Sequence, residues 1–261
     1  MRTMLLALDI GNTNVTLGLF RGSRLVRSWR VSTDARRTPD EHEAALRAVL
    51  GRAASTVRAC AIASVVPAVE DAFAAAAALV VRRRPVLIDS ESPFGFRIGY
   101  QPPSDVGADR LVNAAAAMER FGAPVIVVDF GTAVTLDVLD RHRVYLGGAI
   151  APGLDLAAEA LARRTAKLPR VALHRPAEAI GRTTLESLRS GLVFGAAALV
   201  DGLLERMFRE LGERPPVVAT GGTAGIVAPH CRYIRETIPD LTLEGIRLVG
   251  ERMMSASRKR T

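Results

Sequence analysis

Leu8-Asp9-Ile10-Gly11-Asn12-Thr13-Asn14-Val15-Thr16-Leu17 recurs, with one residue skipped, as Val128-Asp129-Phe130-Gly131-Thr132-Ala133-Val134-Thr135-Leu136. Each copy follows an apolar run, Met4 to Leu8 and Pro124 to Val128, that reads as a buried strand. A carboxylate at a strand end, followed by glycine and a small hydroxylated residue, suits a tight turn around phosphate and a cation. Glycine lets the backbone approach a ligand, exposed N–H groups hold its oxygens, and the carboxylate holds a hydrated ion. One such turn is a weak signal, because Asp and Gly are ordinary turn residues. Two on matching strands point to a duplicated α/β unit whose turns together would clamp the phosphates of a nucleotide.

The pattern continues outward from both turns. Leu17 to Phe20 is a strand, Arg21-Gly22-Ser23 a hairpin turn, and Leu25 to Val31 alternates apolar and polar residues. Thr38-Pro39-Asp40-Glu41 opens a helix to about Leu50, Ala59 to Ser64 is a strand, and a helix follows from about Pro67 to Val80. Pro85 to Ile88 is a further strand, and a helix is expected from about Asp105 to Arg120. The second half repeats strand, turn, strand and strand over 124–147, and Gly147 to Gly153 then lead into a helix near Leu154. A long helix is expected from about Leu185 to Leu211, a strand over Val217 to Thr220, and a last helix over Thr242 to Met253. Strands alternating with helices in two matching halves predict two homologous α/β lobes, 1–120 and 121–261, with mixed sheets flanked by helices and the active site in the cleft between them.

Composition sets bounds on function. With 49% apolar residues the 261-residue chain can bury a sizeable core. The Ala-rich stretch Ala72 to Val81 is too short to span a bilayer, and the N-terminus enters a strand at once, so a cytoplasmic protein with no membrane partner is expected. Cys60 and Cys231 are far apart and lack metal-ligand spacing, which reads as free thiols. The net charge of +8 invites a nucleic-acid reading. Yet the basic residues look scattered along the sequence, with short clusters at Arg82–Arg84 and Arg258-Lys259-Arg260, and aromatics are only 5%. No stacking platform interleaves them, so nucleic acid is not expected, and a solvated surface or an acidic partner remains. Lys167 and Lys259 are the only lysines. Neither a Walker-type loop nor a Gly-x-Gly-x-x-Gly turn occurs, and His42, His142, His174 and His230 have no partner spacing and read as surface residues.

Further residues have chemistry to offer. Asp109, in Gly107-Ala108-Asp109-Arg110, reads either as a first-turn acid favoured by the helix dipole or as a base that takes an alcohol proton. Arg110 beside it is suited to holding a carboxylate through a paired fork. Gly221-Gly222 after a strand permits close approach of a flat group, or is only a turn. Tyr100 is either a ligand donor or a loop anchor.

Taken in order, Asp-Ile-Gly-Asn-Thr-Asn, Gly-Ala-Asp-Arg, Asp-Phe-Gly-Thr-Ala, Gly-Gly-Ala-Ile-Ala-Pro-Gly and Thr-Gly-Gly resemble the type III pantothenate kinases, within the actin-like, acetate and sugar kinase superfamily. The likeness runs from about Leu5 to Glu251. It implies two RNase H-like, actin-like ATPase lobes and transfer of the ATP γ-phosphoryl group to the primary hydroxyl of pantothenate, the first step toward coenzyme A. It implies that Asp9, Ile10, Gly11, Asn12, Thr13, Asn14, Val15 and Thr16 hold the ATP phosphates, with Asp9 reaching Mg²⁺ through water, and that Thr132 contacts ATP. By the same likeness Asp109 accepts the proton, and Tyr100, Gly107, Ala108, Arg110 and Thr184 join it in binding pantothenate. Asp129 belongs to a monovalent-cation site for K⁺ or NH₄⁺, and the enzyme is a homodimer. Thr183 stands where the family often has Asn or Ser, which touches the Thr184 assignment. The competing readings are a different kinase or phosphohydrolase on the same fold, and an ATP-binding regulator without chemistry.

Overall fold

A computed structural model of the chain describes residues 4–258; Lys259 and Arg260 of the terminal basic cluster lie outside them. The chain divides into two compact units, one made of the residues up to Ala116 with those from Leu241 onward, the other of Ala117–Asp240.

The first unit begins with strands β1 (Met4–Ile10), β2 (Asn14–Arg21) and β3 (Arg24–Ser32), then helix α1 (Pro39–Leu50), β4 (Val57–Ser64), α2 (Pro67–Val81) and β5 (Val86–Ile88). A two-residue strand β6 (Arg97–Ile98) and helix α3 (Ala108–Phe121) follow, and the unit division falls inside α3. The sheet order is β3-β2-β1-β4-β5, antiparallel across β1, β2 and β3 and parallel across β1, β4 and β5. Leu6, Leu8 and Ile10 of β1 join Val15, Leu17, Ile62, Val69 and Phe73 in one core. The last helix, α7 (Leu241–Arg258), packs on β1, β2, β4 and β5 and so belongs to this unit. With helices on both faces, β1 and β4 read as continuous apolar runs rather than alternating ones.

α1 starts with the capping box its sequence announces. The Glu41 N–H donates to Thr38 Oγ1 at 3.3 Å, and the Thr38 N–H donates to Glu41 Oε2 at 2.7 Å. His42 corrects the sequence reading: it is 1% exposed rather than on the surface. Its ring lies 3.9 Å from that of Phe73, and its Nε2 has no hydrogen-bond partner. The apolar face of α1 carries it inward with Leu46 and Leu50. Burial lowers its pKa; Arg37 adds to that, and Glu41 and Asp34 oppose it. The unfolded chain therefore takes up this proton near the ordinary histidine value of about 6.5, whereas the folded chain does so only at lower pH. In that window the unfolded state binds more protons, so stability falls as pH drops. The Tm loss between about pH 7 and pH 5 is expected to be smaller in His42→Phe, which keeps a ring against Phe73 but cannot protonate. Equal losses in both proteins would assign the acid sensitivity to other groups.

The second unit repeats the plan with β7 (Val125–Phe130), β8 (Ala133–Leu139), β9 (Val144–Pro152), α4 (Leu154–Arg164), α5 (Thr184–Leu211), β10 (Val217–Thr220), α6 (Ala224–Val227) and β11 (Ile234–Thr237). α7 (Leu241–Arg258) closes the described chain. The unit's own strands run in the order β11-β10-β7-β8-β9, so β7, β8, β9, β10 and β11 stand to one another as β1, β2, β3, β4 and β5 do. The duplication read from two turns thus extends to the whole connectivity. The fold is α/β, with two mixed sheets flanked by helices.

β9 runs to Pro152, beyond residue 147 where the last of the expected strands ends, because β8 continues to pair with it, from Thr135 with Ile150 to Ala133 with Pro152. α3 begins at Ala108 rather than Asp105, since Pro103–Asp105 forms a separate 3₁₀ turn. His230 is half-buried and meets Phe194 edge-on at 4.9 Å, whereas His142 and His174 are exposed as expected. α5, the long helix expected from about Leu185, is also long and apolar enough to cross a membrane, a property the sequence reading did not weigh. It instead packs Val193, Ala197, Val200 and Leu204 into the second core, and Asp201 at its middle pairs with Arg232 at 3.2 Å. Both cysteines are free; burial raises the Cys60 thiol's pKa, and burial beside Asp201 raises that of Cys231 to about 12. Neither is poised as a nucleophile.

Candidate active site

In the first unit, Asp9 is the penultimate residue of β1 and alternates with the fully buried Leu8 and Ile10. The turn after it is fixed by backbone and hydroxyl bonds. The Gly11 N–H donates to Asn14 O at 3.0 Å, the Thr33 N–H to Thr13 O at 3.1 Å, and Thr33 Oγ1 to Gly11 O at 2.6 Å. Asn12 and Thr13 are left exposed at the tip. Ile10 and Val15 are both 0% exposed, so only their backbone can serve a ligand. Thr33 escaped the sequence reading; its signal was a hydroxyl directly after a strand whose partner ends in the turn.

The Gly-Ala-Asp-Arg segment stands at the same edge of this sheet. The Val65 N–H donates to Ile10 O at 3.0 Å, just beyond β4. A Cβ on Gly107 would lie 3.1 Å from Val65 Cγ1 and 2.4 Å from Asp109 Oδ1, so glycine is required for the start of α3 to seat here with the Asp109 carboxylate folded back over it. The Gly107 carbonyl accepts from Leu111 N–H at 3.3 Å, and Asp109 Oδ1 accepts from Arg110 N–H at 2.8 Å. Asp109 is thus a first-turn acid in register with the helix dipole, on a segment that seats against Val65 and so near the strand end that bears Asp9. The Ala108 side chain is buried, and Arg110 is only 8% exposed. Tyr100 lies half-buried in the loop between β6 and α3.

In the second unit the Asp129 turn is held in a different way. The Gly131 N–H donates to Ala133 O at 3.0 Å, and the Gly153 N–H donates to Thr132 O at 3.1 Å. The Thr223 backbone N–H and hydroxyl both donate to Phe130 O at 3.1 Å. Gly221, at the end of β10, has φ +98, and a Cβ there would lie 2.4 Å from Asp129 Oδ1. The first glycine of Gly221-Gly222 is thus what makes room for the Asp129 carboxylate. Thr132 is exposed at the tip. The Gly147–Gly153 stretch and Thr223 support this turn, a link no local motif disclosed.

Thr184 is the exposed first residue of α5. Its neighbour Thr183 is the N-cap: the Glu186 N–H donates to Thr183 Oγ1 at 3.2 Å, and the Thr183 N–H donates to Glu186 Oε2 at 3.0 Å. Asn, Ser and Thr all cap helices, so the departure at Thr183 leaves the position of Thr184 unchanged.

The donors at both turns are oxygens, from Asp9, Asn12 and Thr13 in one and Asp129 and Thr132 in the other. Among the described residues no group of three or more His, Cys, Asp or Glu gathers as a metal cage. That donor set fits a hard cation held through one carboxylate, water and phosphate, as Mg²⁺ commonly is.

A family model described as type III pantothenate kinase matches residues 5–206. The type III pantothenate kinase of Thermomicrobium roseum is 47% identical over 253 residues, 96% of this chain and 98% of that protein. That of Roseiflexus sp. (strain RS-1) is 43% identical over 251 residues, 95% of this chain and 98% of its own. Among solved structures, a ROK hexokinase from Thermus thermophilus matches with a TM-score of 0.53 and 17% identity, over 97% of this chain and 100% of that one. The last likeness speaks for the fold.

Proposed function

We propose, from the premise that this chain belongs to the type III pantothenate kinase family, a division of labour among the residues just described. The chain transfers the γ-phosphoryl group of ATP to pantothenate, in coenzyme A biosynthesis. The observation that carries the assignment of roles is the seating of Asp109 beside Val65, which bonds the strand end bearing Asp9.

Phosphoryl transfer asks a protein for position and charge compensation more than for covalent chemistry. The backbone N–H groups of the Asp9–Thr16 turn, with the Asn12 and Thr13 side chains, hold phosphate oxygens. Asp9 orients the water shell of Mg²⁺, which supplies neutralisation of the phosphate charge when bound. Asp109 accepts the proton of the primary hydroxyl as the new P–O bond forms. Arg110 takes the substrate carboxylate, and Tyr100, the Gly107 and Ala108 backbone, and Thr184 complete the pantothenate contacts. Thr132 meets ATP, and Asp129 with neighbouring oxygens holds a monovalent cation, K⁺ or NH₄⁺. We take the working form to be a cytoplasmic homodimer.

Coupled ADP release tests the assignment. ADP is expected to form with pantothenate and not with water alone; release without pantothenate favours a phosphohydrolase. In the same assay K⁺ is expected to activate and Na⁺ not, since Asp129 is a second strand-end carboxylate that one Mg²⁺ near Asp9 does not require. Equal rates in Na⁺-only and K⁺ buffers would leave Asp129 a structural residue.

A further inference from the structure

The arginines that look scattered in the sequence are gathered by the first unit's topology. β1, β4 and β5 are parallel, and the Asp9 turn lies at their C-terminal edge. The opposite edge is formed by the β2–β3 hairpin and by the entries into β4 and β5 from the C-termini of α1 and α2. The hairpin carries Arg21 and Arg24, the entry to β4 carries Arg47, Arg52 and Arg58, and the entry to β5 carries Arg82, Arg83 and Arg84. All eight are exposed, and the three connections contain no carboxylate. Of the acids of this unit's first two helices, Asp40 and Glu41 lie in the first turn of α1 and Glu70 and Asp71 near the start of α2, and Glu43 alone reaches the set, at Arg47.

Capping of helix dipoles accounts for part of this set, since cations suit helix C-termini. It extends to Arg58, whose Nη1 donates to Ser55 O at 2.7 Å and Val57 O at 2.9 Å, but it does not account for Arg21 and Arg24, which sit on strand ends. Among the described residues only Arg47 of this set is paired by a carboxylate, Glu43 at 2.7 Å, while it also donates to Leu79 O at 3.3 Å. Leu79 and Leu87 stand among these arginines, each three residues from one of the Arg82–Arg84 run, and are 51% and 37% exposed. Adjacent strands are about 4.8 Å apart, so the row from β3 to β5 extends about 20 Å.

We propose that this edge docks an acidic polypeptide segment carrying apolar side chains among its carboxylates. Guanidinium forks pair with carboxylates in two parallel bonds, and Arg is the cation favoured in protein interfaces. Leu79 and Leu87 call for apolar cover, which a phosphate backbone does not offer. No aromatic side chain lies in the three connections to stack a base, so a single-stranded nucleic acid would have no stacking platform there. The site lies opposite the Asp9 turn of the same sheet, so the proposal stands apart from the assignment of catalytic roles.

The test is fluorescence anisotropy with a labelled peptide of alternating glutamate and leucine, an all-glutamate peptide and a single-stranded oligonucleotide, at physiological ionic strength. The triple variant Arg52→Ser, Arg83→Ser, Arg84→Ser is compared with Arg141→Ser, Arg175→Ser, Arg214→Ser, equal in charge but placed in the second unit. Wild type is expected to bind the glutamate–leucine peptide more tightly than either other probe. Three exposed pairs of the usual strength amount to about tenfold in Kd, and that loss is expected in the first triple and not in the second. Kinase activity is expected to stay at the wild-type level in both, showing that each folds. Equal weakening by the two triples, no binding at physiological ionic strength, equal binding of the all-glutamate peptide, or preference for the oligonucleotide would each overturn the proposal.

Discussion

Asp109→Asn lowers turnover by about 10²–10⁴-fold and leaves the fold and the substrate KM values close to wild type. The substitution keeps the volume and the oxygen that accepts the Arg110 N–H at 2.8 Å, so the first turn of α3 retains its local bond. What it removes is the proton acceptor proposed above. The loss is bounded because positioning of the phosphates by the Asp9 turn and charge compensation remain. An effect confined to kcat distinguishes this from displacement of the substrate, which would raise the pantothenate KM. Asp109→Ala should match the Asn variant in kcat and lose stability besides, because the helix start then lacks its acid. Near-normal turnover in Asp109→Asn would return Asp109 to the role of a first-turn acid.

The duplicated turn was legible because its residues are adjacent in sequence and their chemistry is local. It predicted two α/β units, and the same strand connectivity in both is what a duplication should leave. Other features lay beyond reach because their cause is long-range. Gly221 reads as a turn glycine until Asp129 is found 2.4 Å from where its Cβ would be. β11 is short and polar, with Arg235, Glu236 and Thr237 exposed, and exists as a strand only because it pairs with β10. His42 has the polarity of a surface residue, and only the packing of α1 on Phe73 puts it inside. The arginine edge is the sharpest case. Its members are spread from Arg21 to Arg84, and parallel strand order is what brings them to one side. Among the candidate site residues, Ile10, Val15 and Ala108 have buried side chains and could serve a ligand only through their backbone, a distinction that a motif does not express.

Arg110 is expected to govern pantothenate and leave ATP nearly untouched. Its side chain is 8% exposed, and an anion bound beside so buried a cation is held largely out of water, where an unpaired charge is costly. Arg110→Lys keeps the charge and loses the planar fork, so the pantothenate KM rises while the ATP KM stays within a few-fold of wild type. Arg110→Ala is worse, at roughly 2–5 kcal/mol in pantothenate binding, because the carboxylate is then left without its partner. Pantothenol, which lacks that carboxylate, separates substrate recognition from support of the loop. It should bind wild type poorly, and it should lose much less than pantothenate on going to Arg110→Ala. Melting temperatures of both variants check that a nearly buried arginine has not simply unseated α3. If pantothenate and pantothenol suffer equally while the fold holds, Arg110 positions the Asp109 segment and the substrate's anion is bound by another cation.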